Sequence, residues 1–529
     1  MPEEMAGEAR SKEGENMKKL LNLMIVCAVA VSAAAVPARR EGIIRTDANG
    51  TEKMVFLNGD EHFHFITDAE GRWLDEETLL PIAEEEKTAR MAKRQQRANA
   101  RRARQETGVD RLLAPKGAII LVSFKDLAFS QSNEAMTQWA MGDKYTYNGA
   151  TGSIHQYFYD QSWGEYDMDI DVIGPVTVSN NCSYYGSNDW SGNDRHPDEL
   201  VKEACQLAAQ QGADFSQYDS NNDGEVDWVV IIYAGKGEAD GGEANTIWPH
   251  QYDLSYTGMS FKLHGKTIDH YCCLNEIDGQ TDERCGIGTF CHEFSHVMGL
   301  PDFYATVEGA THRTMVDWDI MDYGPYNNNG NTPPNYSAYE RWFMGWITPR
   351  VLTEPENTLL GPLQETKQSL LMCNGNAHNL DGLNPLPSTF YLLETRTQEG
   401  WDKYLAGKGL MITKIQYDPN KWYNNTVNNT SSKLGVDLIE AKRNTSAYYS
   451  KATDLFPAGA NSYTGFADHE ITDIELYADG YIGFKYNGGW PEGIEDVQGN
   501  DVQCTKVLRG SKVVIIREGN TYDILGNRL

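Results

Sequence analysis

His292 and His296 stand four residues apart, with Glu293 between them, in the run His292-Glu293-Phe294-Ser295-His296-Val297-Met298-Gly299-Leu300-Pro301-Asp302. On a helix, positions four apart lie almost above one another, about 6 Å along the axis. Both imidazoles therefore reach one ion, and two neutral imidazoles suit zinc, which takes nitrogen and sulfur ligands at about 2.0–2.3 Å. Glu293 falls beside that ion without pointing at it, where a general base for a metal-activated water has to stand. Gly299 sits where the helix ends with a left-handed residue. The chain then turns and returns Asp302 as a third ligand. Three protein ligands leave a fourth position open, the catalytic rather than the structural arrangement. The blander reading is a core helix that happens to carry two histidines. The full H-E-x-x-H-x-x-G-x-x-D pattern is much rarer than H-E-x-x-H alone.

Downstream, Trp318-Asp319-Ile320-Met321-Asp322-Tyr323-Gly324 is a short apolar segment with a methionine before a glycine. Metzincin zinc peptidases carry a methionine turn beneath their ligands, and Met321 matches it. The chain resembles the immune inhibitor A family of secreted bacterial metallopeptidases, roughly from Gly59 to Phe466. Further matching segments are Gly59-Asp60-Glu61-His62-Phe63-His64, Tyr159-Asp160-Gln161-Ser162-Trp163-Gly164 and Asp219-Ser220-Asn221-Asn222-Asp223-Gly224. Later come Leu393-Glu394-Thr395-Arg396, Gly400-Trp401-Asp402 and Asp454-Leu455-Phe456-Pro457. The resemblance implies a metzincin-like fold, endopeptidase activity on proteins or peptides, one catalytic zinc per chain and structural calcium. It carries His292, His296 and Asp302 over as ligands and Glu293 as base. Many metzincins have a third histidine where this chain has Asp302; the aspartate fits the resembled family. Tyr323 either assists the oxyanion or only packs.

Three rivals stand beside this reading. Glu340, from a later helix, is the third ligand if the enzyme is thermolysin-like; the Gly299–Asp302 extension and Met321 oppose that. A surface binding protein on an inactive peptidase fold would lack the base or a ligand, and here each is present. A zinc amidase acting on cell-wall peptides shares the motif, which alone does not separate the two.

The elements that must position these residues form an α/β (α+β) metzincin-like domain over 116–350. Ala118–Phe124 and Trp228–Tyr233 read as buried strands. Between them Pro197–Gln211 has helical apolar spacing, with Leu200, Val201, Ala204, Leu207 and Ala208 on one side. Tyr336–Trp346 reads as a short closing helix. Asp219, Asn221, Asp223 and Asp227 occupy positions 1, 3, 5 and 9 of a calcium loop, with Gly224 at 6. Position 12 is Val230, so a further oxygen is expected from Glu238, Asp240 or Glu243. An acidic turn without an ion is the alternative. Residues 351–495 turn to short strands with Gly, Asn and Pro turns, a β-rich accessory region with no catalytic spacing. Phe390–Thr395 and Gly409–Lys414 are its clearest strands. Residues 496–529 form a short module that resembles the sorting modules of secreted Bacteroidetes proteins, or a plain terminal hairpin.

The 529 residues leave room for two to four domains, and the formal charge is −30. That excludes a nucleic-acid partner, since phosphate binding needs a basic face. A basic start at Met17-Lys18-Lys19, an apolar run and small residues near Ala33–Ala38 read as a secretory signal over 1–38, with Met17 as the expected start. No segment is apolar enough to cross a bilayer, and a monomer, secreted or at a bacterial cell surface, is expected. Residues 39–115 read as a propeptide. Its run Lys87–Arg104 is basic and free of acids, with Arg90, Lys93, Arg94, Arg97, Arg101, Arg102 and Arg104, and reads as a processed linker. The propeptide has no cysteine to hold zinc, so Asp60, Glu61, His62 or His64 is expected in the open zinc position. Cys272, Cys273, Cys285 and Cys291 cluster before and inside the zinc helix, either bridged or as buried thiols.

Overall fold

The computed structural model describes residues 37–92, 116–489 and 504–522, apart from 48, 61–62, 77, 191, 308–309, 376–378, 447, 510–511 and 518–519. Residues 1–36 of the expected signal segment, and the basic run from Lys93 onward, lie outside the described residues.

Four N-terminal strands, β1 (Ile43–Thr46), β2 (Glu52–Asp60), β3 (Phe63–Thr67) and β4 (Trp73–Leu74), form one antiparallel sheet in sequence order. One side of it packs through Val55, Leu57, Ile66 and Leu74 onto Ala239 and Trp248 of the following domain.

The central sheet contains β5 (Lys116–Ser123), β6 (Asp169–Thr177), β7 (Val229–Lys236), β8 (His250–Asp253) and, after the hairpin of β9 (Phe261–Leu263) and β10 (Lys266–Ile268), β11 (His270–Ile277). Its order is β6-β5-β7-β11-β8. The first four strands run parallel and β8 runs antiparallel along the edge. Parallel strands are covered on both faces and so read as continuous apolar runs; the β5 sequence KGAIILVS is buried at every position after the first. Helices α1 (Asn133–Met141), α2 (Ile154–Gln161) and α3 (Pro197–Gln210) supply the cover. Helix α4 (Gly288–Val297) carries the two histidines and lies on this core, with Phe294 edge-on to Trp228 at 4.9 Å and to Phe158 at 5.3 Å between ring centroids. The expected Tyr336–Trp346 helix is shorter, α5 (Ala338–Phe343). Ser337 and Glu340 close a capping box that sets its start, and Gly345, at φ +77°, follows its end.

The β-rich part forms a five-stranded and a three-stranded sheet. Along Thr389–Arg396 and Gly409–Gln416, alternate residues face opposite ways, as a strand demands. Leu393, Leu410 and Ile412 join the three-stranded sheet, whereas Phe390, Leu392, Met411 and Ile415 join the core beneath α4. The strands after residue 350 thus share the core of the site. Cys504–Arg509, Lys512–Arg517 and Asn520–Tyr522 make a three-stranded sheet rather than a two-stranded hairpin. Cys182, Cys205, Cys272, Cys273, Cys285 and Cys291 are all free thiols, so the cluster before α4 is not bridged. Among the described residues no helix is long and apolar enough to cross a membrane.

Candidate metal centre

Helix α4 ends in the geometry its sequence predicts. Gly299 has φ +97°, its N–H donates to the His296 carbonyl at 2.9 Å, and the Leu300 N–H reaches the Ser295 carbonyl at 3.0 Å. That is a Schellman closure, in which glycine takes the left-handed position at no steric cost. The turn brings Asp302 back to the histidines. Its Oδ1 lies 3.2 Å from His292 Nε2 and 3.3 Å from His296 Nε2, and the two Nε2 atoms are 3.0 Å apart. His292, Glu293 and Asp302 are fully buried and His296 nearly so.

The residues fit a metal ion on a hydrogen-bond argument. His292 Nδ1 is 2.7 Å from the Ile320 carbonyl and His296 Nδ1 is 2.7 Å from the Leu300 carbonyl. A carbonyl only accepts, so each Nδ1 carries the proton and each Nε2 presents a lone pair. Two lone pairs and a buried carboxylate oxygen with no hydrogen-bond donor converge on one point. That set repels itself unless a cation sits within it, and two nitrogens with one oxygen suit zinc. In the metal-free protein burial pulls both imidazoles down. Asp302 outweighs it at His292, pushed up to about 8, while His296 stays below its ordinary value. Burial pushes the Asp302 carboxyl up, but the two histidines hold it below the usual range.

Met321 is completely buried, and its carbonyl accepts from the Phe303 N–H at 2.7 Å, tying the methionine turn to the residue after Asp302. Asp319 shapes that turn by accepting from the Met321 N–H at 2.8 Å. Glu340 does not approach the histidines. It caps α5, accepting from the Ser337 N–H at 2.5 Å, and shares a buried site with Asp319. The thermolysin-like assignment therefore fails on geometry. Tyr323 packs against Tyr304, and the Arg40 guanidinium lies over its ring.

His64 does not enter the open metal position either. It is buried in a different place, 3.0 Å from Glu238 Oε2 and 3.0 Å from Asn188 Oδ1, stacked on Trp248. His64, Glu238 and Asp194 form a second group of converging ligand atoms. The Asp60 side chain, Glu61 and His62 lie outside the described residues.

In the acidic loop, Asp219 accepts from the Asp223 and Gly224 N–H groups at 3.2 and 3.1 Å, and Asp227 Oδ2 from the N–H and hydroxyl of Ser220. Asn221 donates to Asp223 at 2.8 Å. The Lys266 ammonium, from β10, is 2.5 Å from Asp219. Glu238 and Asp240 sit past the far end of β7, whose eight residues span about 26 Å. They do not reach the loop, so the further oxygen expected from Glu238 or Asp240 comes from neither.

Asn425 escaped the sequence reading. Its amide donates to Asp302 Oδ2 at 2.5 Å, and its oxygen accepts from the Asp302 N–H at 2.6 Å. Asn428 and Asn429 hold the Phe303 carbonyl and the Thr306 N–H in the same way. The repeated Asn-Asn-Thr of Asn424–Thr430 was the available signal. Asparagine with no turn partner nearby in sequence often serves distant backbone.

A buried two-histidine, one-aspartate centre with an adjacent glutamate, on a helix over a mixed sheet, defines a metallopeptidase-type domain. Residues 123–347 match the family model of the immune inhibitor A peptidase M6 catalytic domain. The chain is similar to the pre-pro-metalloprotease PrtV of Vibrio cholerae, 28% identical over 226 residues, 37% of this chain and 24% of that protein. It is also similar to immune inhibitor A of Bacillus thuringiensis subsp. alesti, 30% identical over 222 residues, 36% of this chain and 31% of that one. The chain thus spans about a quarter to a third of the length of these curated relatives.

Proposed function

We propose that this chain is an exported bacterial zinc endopeptidase with a metzincin-like active site, made as a zymogen. The observation that carries the reading is the convergence of His292 Nε2, His296 Nε2 and Asp302 Oδ1 on one buried point beside Glu293. Zinc bound there supplies Lewis-acid activation of a water and of the scissile carbonyl. Glu293 takes the proton from the attacking water and later delivers it to the leaving amine. The Ile320 and Leu300 carbonyls keep the imidazoles in the ligating tautomer, and Asn425 fixes the Asp302 carboxylate. Met321 forms the floor beneath the ligands. The N-terminal sheet acts as the prosegment, docked on the domain it is to leave. The Asp219–Asp227 loop is a structural calcium site in which the ion replaces the Lys266 ammonium.

The test is cleavage of a denatured protein such as casein by wild type and Glu293→Ala, with bound zinc measured on both. Activity lost while zinc is retained supports the reading. Zinc in both with no cleavage by the wild type, its prosegment shown to be removed, overturns the endopeptidase assignment in favour of a binding protein or a cell-wall amidase.

A further inference from the structure

Residues 37–40 lie against Ala239 and the segment Tyr323–Tyr326 that follows Met321. The Tyr326 hydroxyl donates to the Pro37 carbonyl at 2.7 Å, and the Arg39 N–H donates to the Ala239 carbonyl at 3.0 Å. Arg40 covers the face of Tyr323, two residues past Met321. This segment borders a cavity of about 720 Å³ that is also lined by Tyr304 and Thr306, just beyond Asp302. The stretch thus shares a cavity with Tyr323, which follows the methionine turn, and with the residues that follow Asp302.

The Arg39 side chain enters a charged pocket. Its guanidinium bonds the Asp278 carboxylate, with both side chains at or below 7% exposure, and lies 4.8 Å above the Tyr326 ring. Asp240 is the second carboxylate of the pocket. It is 7% exposed, its Oδ1 has no hydrogen-bond partner, and its Oδ2 accepts from Asn275 at 3.0 Å. Asp278 Oδ1 is held by the Gln280 and Thr281 N–H groups and the Thr281 hydroxyl at 2.8–3.0 Å. Its loop fixes it whether or not Arg39 is present. Two buried carboxylates facing one pocket are costly without a cation, and a planar guanidinium over an aromatic ring answers both needs.

We propose that Asp240, Asp278 and Tyr326 form a subsite of the substrate cleft for a basic side chain, filled by Arg39 in this chain and taken by an arginine or lysine of the substrate once residues 37–40 are displaced. The proposal rests on the peptidase reading and adds its substrate class. Arg39 is then a built-in occupant rather than an ordinary surface ion pair, since exposed pairs are neither buried nor doubly acidic.

Two experiments test it. In the full chain, Arg39→Ala vacates the pocket, and millimolar agmatine, compared with sodium chloride at equal ionic strength, should raise its melting temperature by several degrees. The Arg39→Ala/Asp278→Asn chain should not respond. If Arg39→Ala does not fold, the cleavage map decides alone. Wild-type sites in casein should carry a basic residue at one fixed offset from the broken bond. In Asp278→Asn the ratio of kcat/KM for an arginine peptide to that for its norleucine analogue should fall at least tenfold. Casein cleavage with no basic preference and an unchanged ratio overturns the subsite while leaving the peptidase reading intact. Absence of cleavage in a zinc-loaded, processed wild type overturns that reading instead.

Discussion

The Asn425 amide grips the Asp302 carboxylate from 123 residues away, so one proposed metal ligand is oriented by the β-rich half of the molecule. The same asparagine accepts from the Asp302 backbone, which makes the contact a two-point clamp. Removing it frees the carboxylate to rotate. Asn425→Ala is expected to weaken zinc binding by about 10- to 100-fold, the usual scale for partners of metal ligands. Competition with a chromogenic chelator measures this, and an unchanged affinity would remove Asn425 from the site.

Asp302 and Glu340 separate two assignments of the third ligand. Asp302→Ala should abolish zinc retention after dialysis. Glu340→Ala should retain zinc yet melt lower, because it loses the α5 capping box at a cost of about 1 kcal/mol. The reverse pattern, read by metal analysis, would refute the geometry.

His64 predicts a pH dependence for docking of the N-terminal sheet. Burial disfavours its charged form, but Glu238, Asp194 and Glu76 outweigh that and push it up to about 10. Because the folded value lies above the ordinary 6.5, the stabilisation is complete below pH 6.5 and is lost as the pH climbs through about 10. The hydrogen-exchange protection factors of residues 43–74, corrected for the intrinsic rise of exchange with pH, should therefore fall between those limits. His64→Ala, which leaves the Glu238 carboxylate buried beside Arg45, should cost on the order of 3 kcal/mol and flatten that profile.

Gly288 opens helix α4 against the turn Gly324–Tyr326. A Cβ there would stand 1.9 Å from the Pro325 carbonyl oxygen, which is backbone and has little room to yield. Gly288→Ala should destabilise the domain by about 1–3 kcal/mol, seen as a lower melting temperature. A wild-type melting curve would show that the turn moves aside freely.

Lys266 and a calcium ion compete for Asp219. Lys266→Met should tighten calcium binding in a calorimetric titration and enlarge the stabilisation that calcium gives. A loop that takes no calcium in either chain would refute the site.

Local spacing carried the juxtaposition of the candidate ligands. Two histidines four apart, a glycine that tolerates positive φ, and an aspartate three residues on are neighbours on a helix and its closing turn, so the sequence alone brought His292, His296 and Asp302 together beside Glu293. The apolar runs of β5 and β7 were legible for the same reason, since burial on both faces leaves no polar position. The segments Leu393–Arg396 and Gly400–Asp402 stood out by resemblance, but their work is tertiary. Arg396 bonds Glu394, Asp402 and the Trp318 carbonyl, and Trp401 donates to Asp160, joining the β-rich strands to the site's core. Only the folded chain placed Asn425 on Asp302, His64 on Glu238 instead of the metal, and Lys266 on Asp219. These contacts join residues 47 to 174 positions apart, and sheet register and the docking of whole layers decide them, which no local pattern of side chains encodes.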